Sequence, residues 1–170
     1  ARAVIVGVAG KRRLPMDDFF AGYRKTALIG DEILLAVELP HLAPEAYFSS
    51  YKVSKRRELD ISICAAGMLV ERDSSNGVVN IRLAFGGMAA IPKRADRTEA
   101  ELLGKPWTRD TIENALDFLD QDFQPISDHR ASARYRMLLA KNILRGFFFD
   151  SVDGADGLEF RPTATVVTAR

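Results

Sequence analysis

The sequence predicts an α+β fold, and three observations carry that expectation. Runs rich in Tyr, Val and Ile at residues 47–54, 61–72 and 78–85 read as strands, the last two joined by a turn containing Asn76-Gly77, a strong hairpin signal. Apolar positions then recur at helical spacing through residues 108–119 and 131–151. Between the two ends of the chain, His41-Leu42-Ala43-Pro44-Glu45-Ala46 follows Pro40 with no periodicity and marks a junction between two strand-bearing parts.

Residues 2–8 alternate enough for a strand, Ala9-Gly10-Lys11-Arg12-Arg13 is a polar turn, and a further short strand is expected at Leu14-Pro15. A strand needs a neighbour, so a chain opening directly on one is expected to be the later part of a longer polypeptide. Residues 16–26 read as one or two helical turns, with Asp17 and Asp18 at the start, Arg24 and Lys25 at the end, and Phe19, Phe20 and Tyr23 as the buried face. Gly30 ends that unit. Residues 31–40 read as a strand that is apolar on both faces at its centre and is closed by Pro40.

After the hairpin, Gly86-Gly87 permits a sharp turn or the close approach of another backbone. Neither a Gly-Lys-Ser/Thr ending nor a GxGxxG spacing accompanies it, so a phosphate cradle is not expected there. Residues 96–103 form a short helix stopped by Gly104-Lys105-Pro106, and Thr108 is the expected N-cap of the next, whose apolar stripe is Ile112, Ala115, Leu116 and Leu119. A turn over residues 124–130 supplies capping side chains to the longest helix, residues 131–151, with Tyr135, Leu138, Leu139, Asn142, Ile143 and Phe147 as its core face. Phe147-Phe148-Phe149 cannot all point inward, which leaves an aromatic edge for a neighbouring chain or domain. Residues 164–168 are strand-like.

The 170 residues are 47% hydrophobic and carry a formal net charge of +1, enough apolar surface for one sizeable core and no global pull towards nucleic acid or acidic membranes. No apolar run reaches the roughly 18 residues of a membrane span. Cys64 is the single cysteine, so no internal disulfide or thiolate metal cluster can form, which fits the cytoplasm. Cys64 lies in an apolar strand and reads as an inert small hydrophobe. His41 and His129 lie in turns, the pairs Asp17-Asp18 and Asp120/Asp122 at helix ends, where dipole and solvent account for them, and no Ser, His and acid fall at triad-like spacing. No catalytic or metal-ligating residue is nominated.

One stretch stands out. Tyr51-Lys52-Val53-Ser54-Lys55-Arg56-Arg57-Glu58-Leu59-Asp60-Ile61-Ser62 interrupts a strand pair with a cluster of charges held on a rigid scaffold, the arrangement of a binding loop or of a solvated turn. With no aromatic interleaving and no second basic strip, it does not read as a nucleic-acid patch.

Five segments in order carry a resemblance: residues 15–26, Glu32-Ile33-Leu34-Leu35, Tyr51-Lys52-Val53-Ser54-Lys55-Arg56 with Asp60-Ile61-Ser62, Ala84-Phe85-Gly86-Gly87-Met88-Ala89, and Ser127-Asp128-His129-Arg130-Ala131-Ser132-Ala133-Arg134-Tyr135-Arg136. Together they closely resemble the FAD-binding part of xanthine dehydrogenase and related molybdenum hydroxylases. The resemblance implies that residues 1–42 are the C-terminal end of a flavin-binding domain of the vanillyl-alcohol-oxidase type. Residues 45–151 would then form the flavoprotein C-terminal domain, an antiparallel sheet of three or four strands packed with three helices, and residues 152–170 a tail.

The implied activity is oxidoreductase chemistry in which electrons pass from a molybdopterin centre, where a purine is hydroxylated, through 2Fe-2S clusters to FAD and then to NAD. The iron-sulfur domain and the molybdopterin-binding subunit would be partners in a hetero-oligomer. By the same resemblance, Leu34 falls where the family packs an apolar side chain on the flavin ring, Lys52 where it places a lysine beside the ring, and Asp60 on the loop near the flavin and nicotinamide. Leu59 departs from relatives that carry an acidic residue at that position. The Ser127 to Arg136 motif reads as structural, a helix start and inter-domain contact. The family's pyrophosphate-binding loop lies upstream of these residues, so the isolated chain is expected to bind FAD weakly. The alternatives are another hydroxylated substrate (carbon monoxide, nicotinate, an aldehyde or an aromatic acyl thioester) or a non-catalytic docking domain.

Overall fold

The computed structural model of the chain describes residues 1–56 and 60–153. They divide into two compact units, residues 1–43 and the part that begins at Pro44. In the first, β1 (Arg2–Gly7) turns back through Gly10, φ +120°, into β2 (Gly10–Pro15). There follow α1 (Met16–Phe19), a small hairpin of β3 (Phe20–Gly22) and β4 (Lys25–Thr26), and β5 (Ile33–Glu38). β1 is the central strand of an antiparallel sheet ordered β2-β1-β5. Ala3 and Ile5 bury one face of β1 against Phe19, with Leu14, Met16, Phe20 and Leu28 packed around them. Arg12 reaches across to Glu32 in a two-pronged pair at 2.7 and 2.8 Å and also donates to the Ala27 carbonyl. The Arg12 guanidinium, helped by the Ile29 N–H, lowers the Glu32 carboxyl to about 2.

Three expectations for this unit differ from the structure, the first being the turn read over residues 9–13: it is confined to Val8-Ala9, and Lys11, Arg12 and Arg13 already pair with β1 in β2. Residues 16–26 make a single helical turn and then a hairpin, because Gly22 and Arg24 (φ +56°) fold the chain back on itself; Phe19 is buried, but Tyr23 is 70% exposed. The strand expected at 31–40 is the shorter β5, and its apolar side chains are exposed on both faces.

In the second unit, β6 (Tyr47–Val53), β7 (Cys64–Arg72), β8 (Val78–Gly86) and β9 (Lys93–Arg94) form an antiparallel sheet in that order. The β7–β8 turn is built by Asp73, whose carboxylate accepts from the N–H groups of Ser75 and Gly77, with Asn76 left-handed at φ +65°. That turn sets the register Met68↔Leu83 and Ala66↔Phe85. Alternation then sends Tyr51, Val53, Cys64, Ala66, Met68, Val70, Ile81, Leu83 and Phe85 to one face. β7 begins at Cys64, later than the predicted 61, and β9 is an additional two-residue edge strand.

The helices α2 (Asp96–Leu102), α3 (Arg109–Asp122) and α4 (Ala133–Asp153) cover that face. Thr108 caps α3 as its sequence position predicts, accepting from the Thr111 N–H. Asp122 is not a solvated helix-end carboxylate. It is buried and accepts from the N–H groups of Arg97 and Thr98 and from the Thr98 hydroxyl, so the end of α3 caps the start of α2. α4 starts at Ala133 and buries Arg136, Leu139, Ala140, Ile143, Leu144, Phe147 and Phe148; Tyr135, Leu138 and Asn142 are exposed, contrary to the predicted stripe. Only Phe149 of the three consecutive phenylalanines is exposed, because the Phe147 ring is taken up by Tyr47, Tyr51 and Trp107, and Phe148 stacks on Trp107. The strand expected at residues 164–168 lies outside the described residues.

Candidate functional site

The same register that fills the helix-covered face defines what the other face of the second sheet presents. One row runs Lys52↔Ala65↔Gly86, the next Ser50↔Gly67↔Ala84, and the third Phe48↔Leu69↔Arg82. Apart from Lys52, the first two rows carry only hydrogen, methyl or hydroxymethyl, so the sheet offers a smooth floor there, with the exposed Lys52 side chain at one corner and Phe48, Leu69 and Arg82 along the far side. A Cβ added at Gly67 would meet nothing within 4 Å, so the floor rises no higher than the backbone at that point. Such a surface accepts a flat group and places a cation at its rim.

Lys52 leads directly into the charged loop. The loop base is closed by the Ile63 N–H donating to the Val53 carbonyl at 2.7 Å, one step beyond the Val53↔Cys64 pair. Buried Ser54 donates to the Arg56 carbonyl. Asp60 accepts from the Arg56 N–H at 3.0 Å and the Ile61 N–H at 2.9 Å and lies 3.9 Å from the Arg56 guanidinium. Partial burial pushes the Asp60 carboxyl upward, yet these backbone donors and the nearby Arg56 charge outweigh it and leave it below the ordinary range. Asp60 is thus the carboxylate that builds the loop.

Three further segments grip the loop from outside. Lys55 donates to the His129 carbonyl at 3.2 Å. Arg136, 4% exposed on the buried side of α4, donates through one nitrogen to the Ile63 carbonyl at 2.5 Å and the Gly87 carbonyl at 3.1 Å, and through the other to Asp128 at 2.8 Å. Gly87 has φ +82°, and a Cβ there would stand 2.5 Å from the Ile63 oxygen, so only glycine permits the approach. Asp128 also takes the N–H groups of Arg130 and Ala131. The Ala131 N–H first, and then Arg136, lower its carboxyl to about 2.

Of the three residues nominated from sequence, Lys52 and Asp60 therefore belong to one strand and loop of the second unit. Leu34 belongs to the first unit, in β5 opposite Ile5, 38% exposed among the exposed Ile33, Leu35 and Val37. Cys64 is buried, and loss of water pushes its thiol up to about 12 against the opposing pull of Arg136, which leaves it unreactive. His41 and His129 are exposed, and His129 contributes its carbonyl. Among the described residues no cluster of His, Cys, Asp and Glu is arranged to hold a metal, and no helix is long and apolar enough to cross a membrane. The small-residue floor and the grip of Arg136 are not among the sequence expectations. Their signals are Ala65 and Gly67 alternating opposite Ala84 and Gly86, and an arginine in the apolar stripe of a helix.

Residues 49–150 match the CO dehydrogenase flavoprotein C-terminal domain. Xanthine dehydrogenase of Emericella nidulans is 39% identical over 140 residues, covering 81% of this chain and 10% of its own length. The nicotinate dehydrogenase FAD-subunit of Eubacterium barkeri is 30% identical over 162 residues, covering 92% of this chain and 54% of its own. Among solved structures, the carbon monoxide dehydrogenase of Hydrogenophaga pseudoflava superposes with a TM-score of 0.77 at 29% identity, over 85% of this chain and 50% of that one. The chain thus spans about a tenth of the curated xanthine dehydrogenase and about half of the other two.

Proposed function

Because the chain belongs to the CO dehydrogenase flavoprotein C-terminal domain family, we propose that it is the distal part of the FAD-carrying portion of a molybdenum hydroxylase of the xanthine dehydrogenase type. In this reading the enzyme is a cytoplasmic oxidoreductase. Its electrons leave a purine at a molybdopterin centre, cross 2Fe-2S clusters in an iron-sulfur domain, and reach NAD by way of FAD. Residues 1–42 close the flavin-binding domain, and residues 45–151 form the flavoprotein C-terminal domain. The molybdopterin-binding subunit and the iron-sulfur domain are its partners in a hetero-oligomer.

The observation that supports this reading most is the open floor of Ala65, Gly67, Ala84 and Gly86 with Lys52 at its corner. FAD, when bound, supplies a flat ring system that accepts two electrons and gains negative charge. The donor set fits such a group: a surface without side-chain bulk for a planar face, and a flexible ammonium for the edge that becomes negative. Lys52 stabilises the reduced state by its charge, Asp60 holds the Arg56 and Ile61 backbone near it, and Leu34 contributes apolar packing to the ring. None of these residues is assigned a proton-transfer step.

The test is made on the intact complex. It should carry the flavin absorbance band, bleach on addition of NADH, and be reduced by xanthine in preference to nicotinate or aldehydes. A complex without flavin, or with flavin that NADH leaves oxidised, would overturn the reading. Preference for nicotinate would instead favour the activity named for the Eubacterium barkeri relative, which this chain matches over far more of its length than it does the xanthine dehydrogenase.

A further inference from the structure

Among the described residues, Arg136 is the one buried cation. Its neighbours in the buried stripe of α4 are Leu139, Ala140 and Ile143, all apolar. A guanidinium taken out of water is costly unless its donors are met, and here the Nε has no partner. What the arginine adds is specific. It joins Ile63, the residue before β7 begins, to Gly87, the residue after β8 ends, and both to Asp128 ahead of α4. Ile63 and Gly87 flank the row Lys52↔Ala65↔Gly86 at its outer end. Arg56, whose N–H donates to Asp60, is held near the same place, since its neighbour Lys55 donates to the His129 carbonyl of the Asp128 turn.

We propose that Arg136 is a positioning residue: working from the helix side of the sheet, it fixes the Ile63 and Gly87 carbonyls and thereby sets how closely Lys52 and Asp60 approach the flavin. This rests on the flavin reading given above. The arginine touches neither cofactor nor nicotinamide, and its influence is carried by two backbone carbonyls. A displacement of about 1 Å in such a frame is enough to cost on the order of 100-fold in rate.

Arg136→Gln and Arg136→Lys in the intact complex test it. Three quantities are read: the flavin midpoint potential, KM and kcat for NADH, and deuterium uptake at the Arg56 and Ile61 amides. The glutamine variant should retain flavin and shift its potential in the direction that Lys52→Met does. It should also slow NADH-to-flavin transfer by roughly 10- to 100-fold and raise uptake at those two amides while α3 and β8 stay protected. The lysine variant, which keeps the charge and one donor, should recover part of each effect. An unchanged potential and rate with uptake raised evenly across α4 and the sheet would overturn the proposal, since that is the signature of a core residue only. If the glutamine variant does not assemble, Asp128→Asn takes its place. It keeps an acceptor for the Arg130 and Ala131 amides while loosening Arg136, and unchanged uptake at Arg56 and Ile61 would then overturn the proposal. A shift on Lys52→Met with none on Arg136→Gln sinks this inference alone; no shift on Lys52→Met sinks the flavin reading itself.

Discussion

A lysine ammonium about 4 Å from a group that gains negative charge interacts with it by roughly 4 kcal/mol at an effective dielectric near 20. Lys52 is exposed, and solvent screening reduces this to about a quarter, about 1 kcal/mol, or roughly 20 mV for a two-electron couple. Lys52→Met in the intact enzyme is therefore expected to lower the flavin potential by about 20 mV in a redox titration, and an unchanged potential would remove its role. Gly87 makes a sharper demand. Gly87→Ala forces a left-handed alanine, at about 1–3 kcal/mol, and drives its Cβ to 2.5 Å from the Ile63 oxygen, a backbone atom that cannot step aside cheaply. Thermal unfolding should show a loss beyond that range; a variant as stable as the parent would mean that the loop does not lie where the structure puts it. At this scale the sequence was readable in part. Gly86-Gly87 announced a close approach, and Lys52 and Asp60 were nominated through family motifs. Arg136 could not be read as the loop's anchor, because its three partners come from positions 63, 87 and 128, and only the folded register brings them together.

Elements were legible where one local signal decided them. Asn76-Gly77 fixed the β7–β8 hairpin, Thr108 the start of α3, and the four-residue apolar stripe its buried face. They were illegible where length or tertiary contact decided. β9 has only two paired residues, and residues 16–26 trade a plausible amphipathic helix for a hairpin around a left-handed Arg24. On α4 the periodicity was right and its phase was right in half: Leu139, Ile143 and Phe147 are buried as expected, but the helix turns Arg136, Ala140 and Leu144 inward and leaves Tyr135, Leu138 and Asn142 out. Phe147 anchors that choice, fully buried with ring centroids 5.5 Å from Tyr47 and 6.0 Å from Trp107. Phe147→Ala should cost about 3–5 kcal/mol, measured by denaturant unfolding; a cost below about 1 kcal/mol would show that α4 docks by other contacts. The turn ahead of α4 carries a pH dependence. Asp128 titrates near 2 in the folded protein against about 3.9 unfolded, so its contribution is present above the higher value and is lost as pH falls between the two. The melting temperatures of the parent and Asp128→Asn should differ at neutral pH and converge only below about pH 2; a gap that persists there would assign the effect to something other than this carboxylate.

The two units differ in how they are held together, and that difference decides what each does alone. In the second unit a single cluster runs from Tyr51 and Val53 of β6, through Met68 and Leu83, to Leu119 of α3 and Phe147 of α4. In the first, the buried cluster is Ala3, Ile5 and Phe19, and β5 shows apolar side chains on both faces. Chains of about 40 residues rarely fold on a core of that size without outside help, and the relatives' greater length is where such help would come from. Composition could not convey this, because the average over 170 residues hides one unit with a large buried core and one with a small one. A fragment of residues 44–153 should therefore unfold cooperatively by circular dichroism, with slow amide exchange in β7 and α4. Residues 1–43 made separately should lack dispersed amide resonances. Coupling the two tests the partition: if the larger fragment melts without cooperativity, or the smaller one folds alone, then the family's C-terminal domain does not carry its own core, and the loop beside Lys52 would not be held by a scaffold stable in its own right.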